Sequence, residues 1–568
     1  MIEADLMTSG KQDDWARVTK ILTSADFIAP RYETRYEPAT GITAVVNQEQ
    51  RVFHRRGVIV APWCPRMKEA QNGLTSGRVV EAGVGFQVPW GDGSIGVRVL
   101  EAQAPDLAPI IYVGAPGFFE GIESPYDTHR LERDAVFFGC ALEGLLNVVR
   151  ASPRQFIWGA DWECVPGLLL LRPRHQVAIT LHNTFDAHLA AGALESGRAE
   201  LKILGGVRTA LSVICEHADV VTTVNRGYAH GLGHEPFHLR VMAQHLQPLV
   251  GRIVGIDNAN FEDLAPSHLE LANTLQKDLA EGVRRVERDQ DVAARGLPDG
   301  LCEKVRGKVL CVSMGRRSSQ KLHDVVVESV RELLSTDPGL PIFVHFATTH
   351  GDDGSPARLR AIQELCEQFP ENTAWSDGRI PYFSQLMTAA SFNIMCSLWA
   401  PHEGAFQGTI VPVARAIDGL ALQVCPFHPT GEAARMALLW HSSGKTPSGF
   451  TFREAPGDED ASVRDLRGLL VESPSPRNGT FWRMAASLSD ALRNAVQIRK
   501  SQPLVYGRLV LGALEEQMKR SWLLNLGGML ALIESARVSR ALESTPRGGG
   551  GPPPYQTPGG VLPLPGAR

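Results

Sequence analysis

Arg316 and Lys321 stand five positions apart in the run MGRRSSQK, residues 314–321, directly after the apolar stretch Val309–Ser313. A loop leaving the carboxyl end of a parallel strand faces the crevice where open α/β sheets bind ligands. There an arginine offers a planar fork and a lysine a point charge, a pair suited to one diphosphate. The same spacing also suits a solvated basic loop. His182, in ITLHN, follows the apolar run Gln176–Leu181. An imidazole there could hydrogen-bond a sugar hydroxyl or steady a developing charge, or be a satisfied core histidine. Asp161-Trp162-Glu163 closes the run Gln155–Gly159, and Trp162 could stack on a sugar ring or be a buried structural tryptophan. Two glycine turns precede helical stretches and could offer amides to an anion. One is Thr40-Gly41 in EPATGITAVV; the other is Asp418-Gly419-Leu420.

These residues need a scaffold, and the hydrophobic pattern supplies one. Short runs rich in Val and Ile alternate with longer amphipathic stretches, which predicts βα units around a parallel sheet. Strands are expected at Gly57–Ala61, Pro109–Val113, Gln176–Leu181, Val220–Val224, Val309–Met314, Pro341–Phe346 and Asn393–Cys396. Helices are expected at Glu132–Arg150, Lys202–Glu216, His323–Ser335, Pro356–Gln368 and Tyr382–Ala390. The pattern restarts after a polar, helical connector, Pro266–Arg295. Two α/β units follow, residues 1–265 and 266–490, with a helical segment at 491–544. The tail from 545 to 568, rich in Pro and Gly, carries too little apolar surface to fold.

Composition narrows the function. The 568 residues carry 57 basic and 62 acidic side chains, a net charge of −5, which argues against a sequence-independent nucleic-acid binder. The nine cysteines are scattered without a Cys-x-x-Cys pair, as expected of reduced thiols in a cytoplasmic protein. The longest apolar run, Val165–Leu171, is too short to span a bilayer. There is no Gly-x-Ser-x-Gly and no Walker A motif, and no Gly-x-Gly-x-x-Gly follows the first strand.

Taken in order, the segments resemble glycogen and starch synthases, glycosyltransferases with two Rossmann-like domains in the GT-B arrangement. DFIAPRYETRYEPATGITAVV is similar to the family's first strand and its Lys-Thr-Gly-Gly-Leu loop. Phe119–Leu145, DWE at 161–163 with ITLHNT at 179–184, ADVVTTVNRGYA at 218–229 and VGIDNANF at 254–261 match further segments. GRRSSQK at 315–321 keeps the spacing Gly-Arg-x-x-x-Gln-Lys, and SGFTF at 448–452 and SW at 521–522 follow. The resemblance implies retaining transfer of glucose from ADP-glucose or UDP-glucose to an α-1,4-glucan. Arg316 and Lys321 would then bind the donor diphosphate, and His182 would touch the transferred glucose with Asp161 in the same pocket. Tyr382 would lie near the base, and the helices at 491–544 would return to the N-terminal domain. Neither a metal nor a cofactor is implied, because the Arg/Lys pair does a cation's work.

The departures bear on activity. The family's first-loop Lys is Pro38 or Ala39 here, and the Asn of Asn-Gly-Ile-Asp is Val254. In CSLWAPHEGAFQGTIVPVARAIDGL, counting from Ser397 puts the family's first Glu at Ala400, whereas the Glu-x-x-Gly pattern points to Glu403. GTI, Arg415 and Gly419-Leu420 match from the other side, leaving the second Glu without a counterpart. Two functions follow: an active glucosyltransferase in which Glu403 stands in for the shifted carboxylate, or an impaired relative that binds glucan or nucleotide and regulates a synthase.

Overall fold

The computed structural model describes residues 9–32, 41–54, 56–63, 79–102, 106–119, 131–182, 186–206, 208–224, 229, 232, 244–256, 266–318, 321–351, 354–378, 380–394, 422–425, 449–451, 479–518 and 522–544. Thr40, Ala400, Glu403, Gly419 and Leu420 lie outside them.

The first sheet is built from β1 (Phe27–Pro30), β2 (Gly57–Pro62), β3 (Val79–Trp90), β4 (Gly93–Ala102), β5 (Ile110–Gly114), β6 (Phe156–Ala160), β7 (Val177–Leu181), β8 (Val220–Thr223) and β9 (Ile253–Gly255). Its order is β3-β4-β5-β2-β1-β6-β7-β8-β9. From β5 to β9 every pairing is parallel, while β3 and β4 form an antiparallel hairpin at one edge. Strands β1, β2, β5, β6 and β7 are buried along their whole length, which is why they read as unbroken apolar runs.

The second sheet holds β10 (Val309–Arg316), β11 (Ile342–Thr349), β12 (Thr373–Asp377), β13 (Phe392–Ile394), β14 (Leu422–Cys425) and β15 (Gly449–Thr451), ordered β12-β11-β10-β13-β14-β15. All of its pairings are parallel.

The helices follow from local chemistry. Leu131–Val148 carries Glu132 and Asp134 in its first turn, where the helix dipole favours anions. Gly139 on this helix meets the short helix Val165–Leu171 so closely that a Cβ there would lie 2.5 Å from the Gly167 nitrogen, so the crossing requires glycine. The connector 266–295 forms two helices, Pro266–Lys277 and Leu279–Arg295. In the second, Asp278 caps the start by accepting from the Glu281 N–H at 3.0 Å, and Val283, Val286, Gln290 and Ala293 bury one face.

The C-terminal block forms Gly479–Ser501, Pro503–Met518 and Trp522–Ser544. The last of these buries Trp522, Leu526, Met529 and Ile533 in one cluster with Phe27, Phe53 and Trp158 of the first sheet and its neighbouring helix.

Two expectations need correcting. Lys202–Glu216 is not one helix: a 3-10 segment, Ala199–Gly205, and a helix, Ala210–His217, are separated at Gly205-Gly206, which disfavour helix by backbone entropy. The hairpin β3–β4 and the edge strand β12 were not expected at all. Among the described residues six cysteines are free thiols, and no helix is long and apolar enough to cross a membrane.

Candidate active site

At the carboxyl ends of β6 and β7 the predicted pair comes together. The His182 backbone N–H donates to Asp161 Oδ1 at 2.7 Å, and the Asp161 N–H donates to the Thr180 carbonyl at 3.0 Å. Asp161 sits at φ 54° and ψ −179°, a backbone region that is essentially glycine's. Strain at a non-glycine residue persists where the surroundings impose it, and the carboxylate's bond to the His182 amide is part of that constraint. Thr180, two residues before His182, is itself gripped: its hydroxyl accepts from Trp158 Nε1 at 2.8 Å and contacts Thr222 Oγ1 at 2.8 Å.

His182 is buried. Burial first, and the nearby Arg31 guanidinium second, lower its pKa to about 3. The ring is therefore neutral at physiological pH and a poor proton carrier, fitted to hydrogen-bond a hydroxyl rather than to act as a general base. Trp162, as buried as His182, belongs to the main core cluster.

Arg31 was not foreseen. It follows β1, buried to 1% exposure, and forms a bidentate pair with Glu49 (3% exposed) through Nε–Oε2 at 2.6 Å and Nη2–Oε1 at 2.8 Å. Its Nη1 also donates to the carbonyls of Pro30 and Trp158. Its guanidinium lies 5.2 Å from the ring centroid of Trp158 and 5.8 Å from that of Phe53. Gly41 is the first residue of the helix Gly41–Phe53, which carries Glu49.

In the second sheet, Arg316 ends β10 and Lys321 precedes the helix His323–Thr336. The loop closes on itself through Ser318 N–H to Arg316 O (2.8 Å) and Lys321 N–H to Ser318 O (3.0 Å). Gly315, at φ +130°, leaves room that the Lys321 methylenes fill, with Cδ and Cε 3.7 Å from where a Cβ would stand. Arg316 and Lys321 are both half-buried at the carboxyl edge.

The neighbouring Arg317 takes a different role. It is buried, and donates to Ser355 Oγ (3.1 Å), Thr348 Oγ1 (3.0 Å) and Asp377 Oδ1 (2.6 Å), anchoring the loop to β11 and β12. His323 lies beneath the loop with Nδ1 3.3 Å from Ser313 Oγ, and burial, then Lys321, lower its pKa to about 4.

Tyr382 is half-buried and packs against the cluster containing Leu386 and Met387. A cavity of about 410 Å³ lies on the β3–β4 hairpin between Gly85, Gln87, Gly96, Arg98 and Pro116, and none of the candidate residues lines it. Among the described residues no group of three or more His, Cys, Asp or Glu could hold a metal. HEPFH at 234–238 has the spacing of a zinc-binding His-Glu-x-x-His helix, but Pro236 opposes the helix on which that spacing depends. All of that segment lies outside the described residues.

Two Rossmann-like sheets, each with candidate residues at its carboxyl edge, are the layout of the GT-B fold. The chain is similar in structure to the catalytic domain of starch synthase IV from Arabidopsis thaliana, solved with ADP and acarbose, with a TM-score of 0.63 at 15% identity over 90% of this chain and 99% of that one. An α,α-trehalose 6-phosphate synthase from Burkholderia multivorans overlaps with a TM-score of 0.46 at 11% identity, over 91% and 100% of the two chains. No protein-family model matches the chain, and no curated protein matches its sequence.

Proposed function

We propose that the protein is a retaining glucosyltransferase that moves glucose from ADP-glucose or UDP-glucose to the non-reducing end of an α-1,4-glucan. The observation that carries this reading is the Arg316–Lys321 loop at the carboxyl end of β10, with the lysine stem seated on Gly315 and the loop anchored by Arg317. Two cations so placed would hold the donor diphosphate and offset the charge that grows on it as the bond to the sugar's anomeric carbon breaks. The acceptor hydroxyl oxygen takes over that carbon, and its proton leaves with the nucleoside diphosphate. Neutral His182, fixed through Asp161, would hydrogen-bond the transferred glucose. Glu403 is the carboxylate proposed to face the donor from the 396–420 segment.

The test is release of ADP or UDP from the nucleotide sugar with maltooligosaccharide present. Turnover lost in both His182→Ala and Lys321→Ala supports the reading; no release from any nucleotide sugar overturns it. A second reading, a glucan- or nucleotide-binding regulator, is favoured by Ala400 standing where the resemblance expects a carboxylate. Saturable binding of ADP or glucan without turnover would establish it.

A further inference from the structure

Buried ion pairs are poor stabilisers, because removing two charges from water costs about as much as their attraction returns. The Arg31–Glu49 pair therefore calls for an explanation other than stability, and its links give one. Glu49 belongs to the helix that starts at Gly41. Arg31 follows β1 and its own N–H donates to the Val60 carbonyl of β2 at 2.9 Å. Its guanidinium reaches the carbonyl of Trp158 in β6, the strand that runs into Asp161. The Pro30 carbonyl is shared: it accepts from Arg31 Nη1 at 3.0 Å and from Cys164 Sγ, just beyond Asp161, at 3.4 Å. Trp158 in turn grips Thr180, two residues before His182. Through its guanidinium Arg31 thus fastens β1, β6 and a helix, and through its backbone N–H it adds β2, at the edge where the candidate residues sit.

We propose that Arg31 and Glu49 are positioning residues for glucosyl transfer: together they set the Asp161–His182 contact and the start of the helix Gly41–Phe53. This rests on the function proposed above. The two side chains need not touch substrate; they act through the strand ends and the helix they tie together.

The decisive variant is the double replacement Arg31→Met with Glu49→Leu, which removes both charges and fills their space with apolar atoms, a change that buried pairs commonly tolerate. The expected result is a cooperative melt close to that of the parent and a kcat at least about tenfold lower, since small misplacements of reacting groups are costly. KM for the nucleotide sugar should stay within about threefold, because the diphosphate grip at Arg316 and Lys321 is untouched. Amide hydrogen exchange at His182, followed by NMR at neutral pH, should speed up once the tie that sets its bond to Asp161 is gone. Arg56→Ala, which breaks an exposed pair with Asp26, is the control and should leave kcat unchanged. A double variant that melts normally with parental kcat and unchanged amide exchange at His182 overturns the proposal. If the double variant does not fold, Arg31→Lys, which keeps the charge and loses the fork, decides the question, and parental kcat in that variant overturns it. If the parent shows no transfer at all, the proposed function fails. Amide exchange at His182 and in the first described turn of the helix Gly41–Phe53 then decides the positioning role alone, and no change in either overturns it.

Discussion

Asp161 carries two opposed features: it holds the His182 amide at 2.7 Å through its carboxylate, and it occupies a backbone conformation, φ 54° and ψ −179°, that disfavours any side chain. A charged hydrogen bond is worth about 1.5–3 kcal/mol and such strain costs about 1–3 kcal/mol, so the two nearly cancel in stability. Asp161→Gly should therefore unfold in urea within about 1 kcal/mol of the parent. Asp161→Ala keeps the strain and loses the bond, and should be less stable than the glycine variant by about 1–2 kcal/mol. Both should lose most transfer activity. Equal stability of the two variants would show that the strain is not real.

Adjacent arginines should separate cleanly. Arg317→Ala removes two buried hydrogen bonds and a part-buried ion pair with Asp377 and should cost about 2–4 kcal/mol, read from a denaturation curve. Arg316→Ala and Lys321→Ala should shift that curve less than Arg317→Ala does and lower turnover of the nucleotide sugar about a hundredfold. Reversed phenotypes for Arg316 and Arg317 would mean that the wrong arginine has been placed at the donor.

Acid should unfold the protein steeply. His182, His323 and His345 are held neutral by burial, with pKa values lowered from 6.5 to about 3, 4 and 4. Between those values and 6.5 the unfolded chain binds protons that the folded chain refuses, so stability falls as pH falls. Each histidine contributes about 1.4 kcal/mol per pH unit in that window and nothing above it. Melting temperature should be flat from pH 7 to 8 with respect to these groups and drop sharply between pH 6 and 4. Replacing His345 by Gln should flatten the drop by roughly a third.

The closing helix is open to a direct test. Met529 is fully buried against the first sheet, and Met529→Ala should destabilise by about 2–5 kcal/mol. Leu523, two turns earlier and 48% exposed, should change stability by less than about 0.5 kcal/mol when made Ala. Calorimetry of the pair distinguishes a docked helix from a loosely attached one.

The strands that line the edge were legible because each is buried on both faces: observed bounds differ from the expected ones by one to three residues at β2, β5, β7, β8, β10 and β11. The hairpin β3–β4 carries a signal that an expectation of unbroken apolar runs passes over: Ala82, Val84, Phe86, Val88 and Trp90 are buried and alternate with exposed residues, the pattern of a strand with one solvated face. At the site, the loop carrying Arg316 and Lys321 could be read from its place after an apolar run. The division of labour between Arg316 and Arg317 could not, because it depends on Thr348, Ser355 and Asp377 arriving from distant positions. Arg31 was missed for the same reason. A lone arginine after a strand reads as a surface cation until Glu49 and Trp158 are seen to enclose it.

The helix Trp522–Ser544 also sets a timetable. The apolar face formed by Phe27, Phe53 and Trp158 is covered by residues synthesised roughly 500 positions after Phe27, a wait of about half a minute or more at ribosomal rates of 5–20 residues per second. Through that interval the nascent N-terminal half presents an uncovered aromatic surface to the cytosol of any expression host. Its yield should then depend on holdase chaperones, and every prematurely terminated product should be released in a sticky state that proteases can recognise.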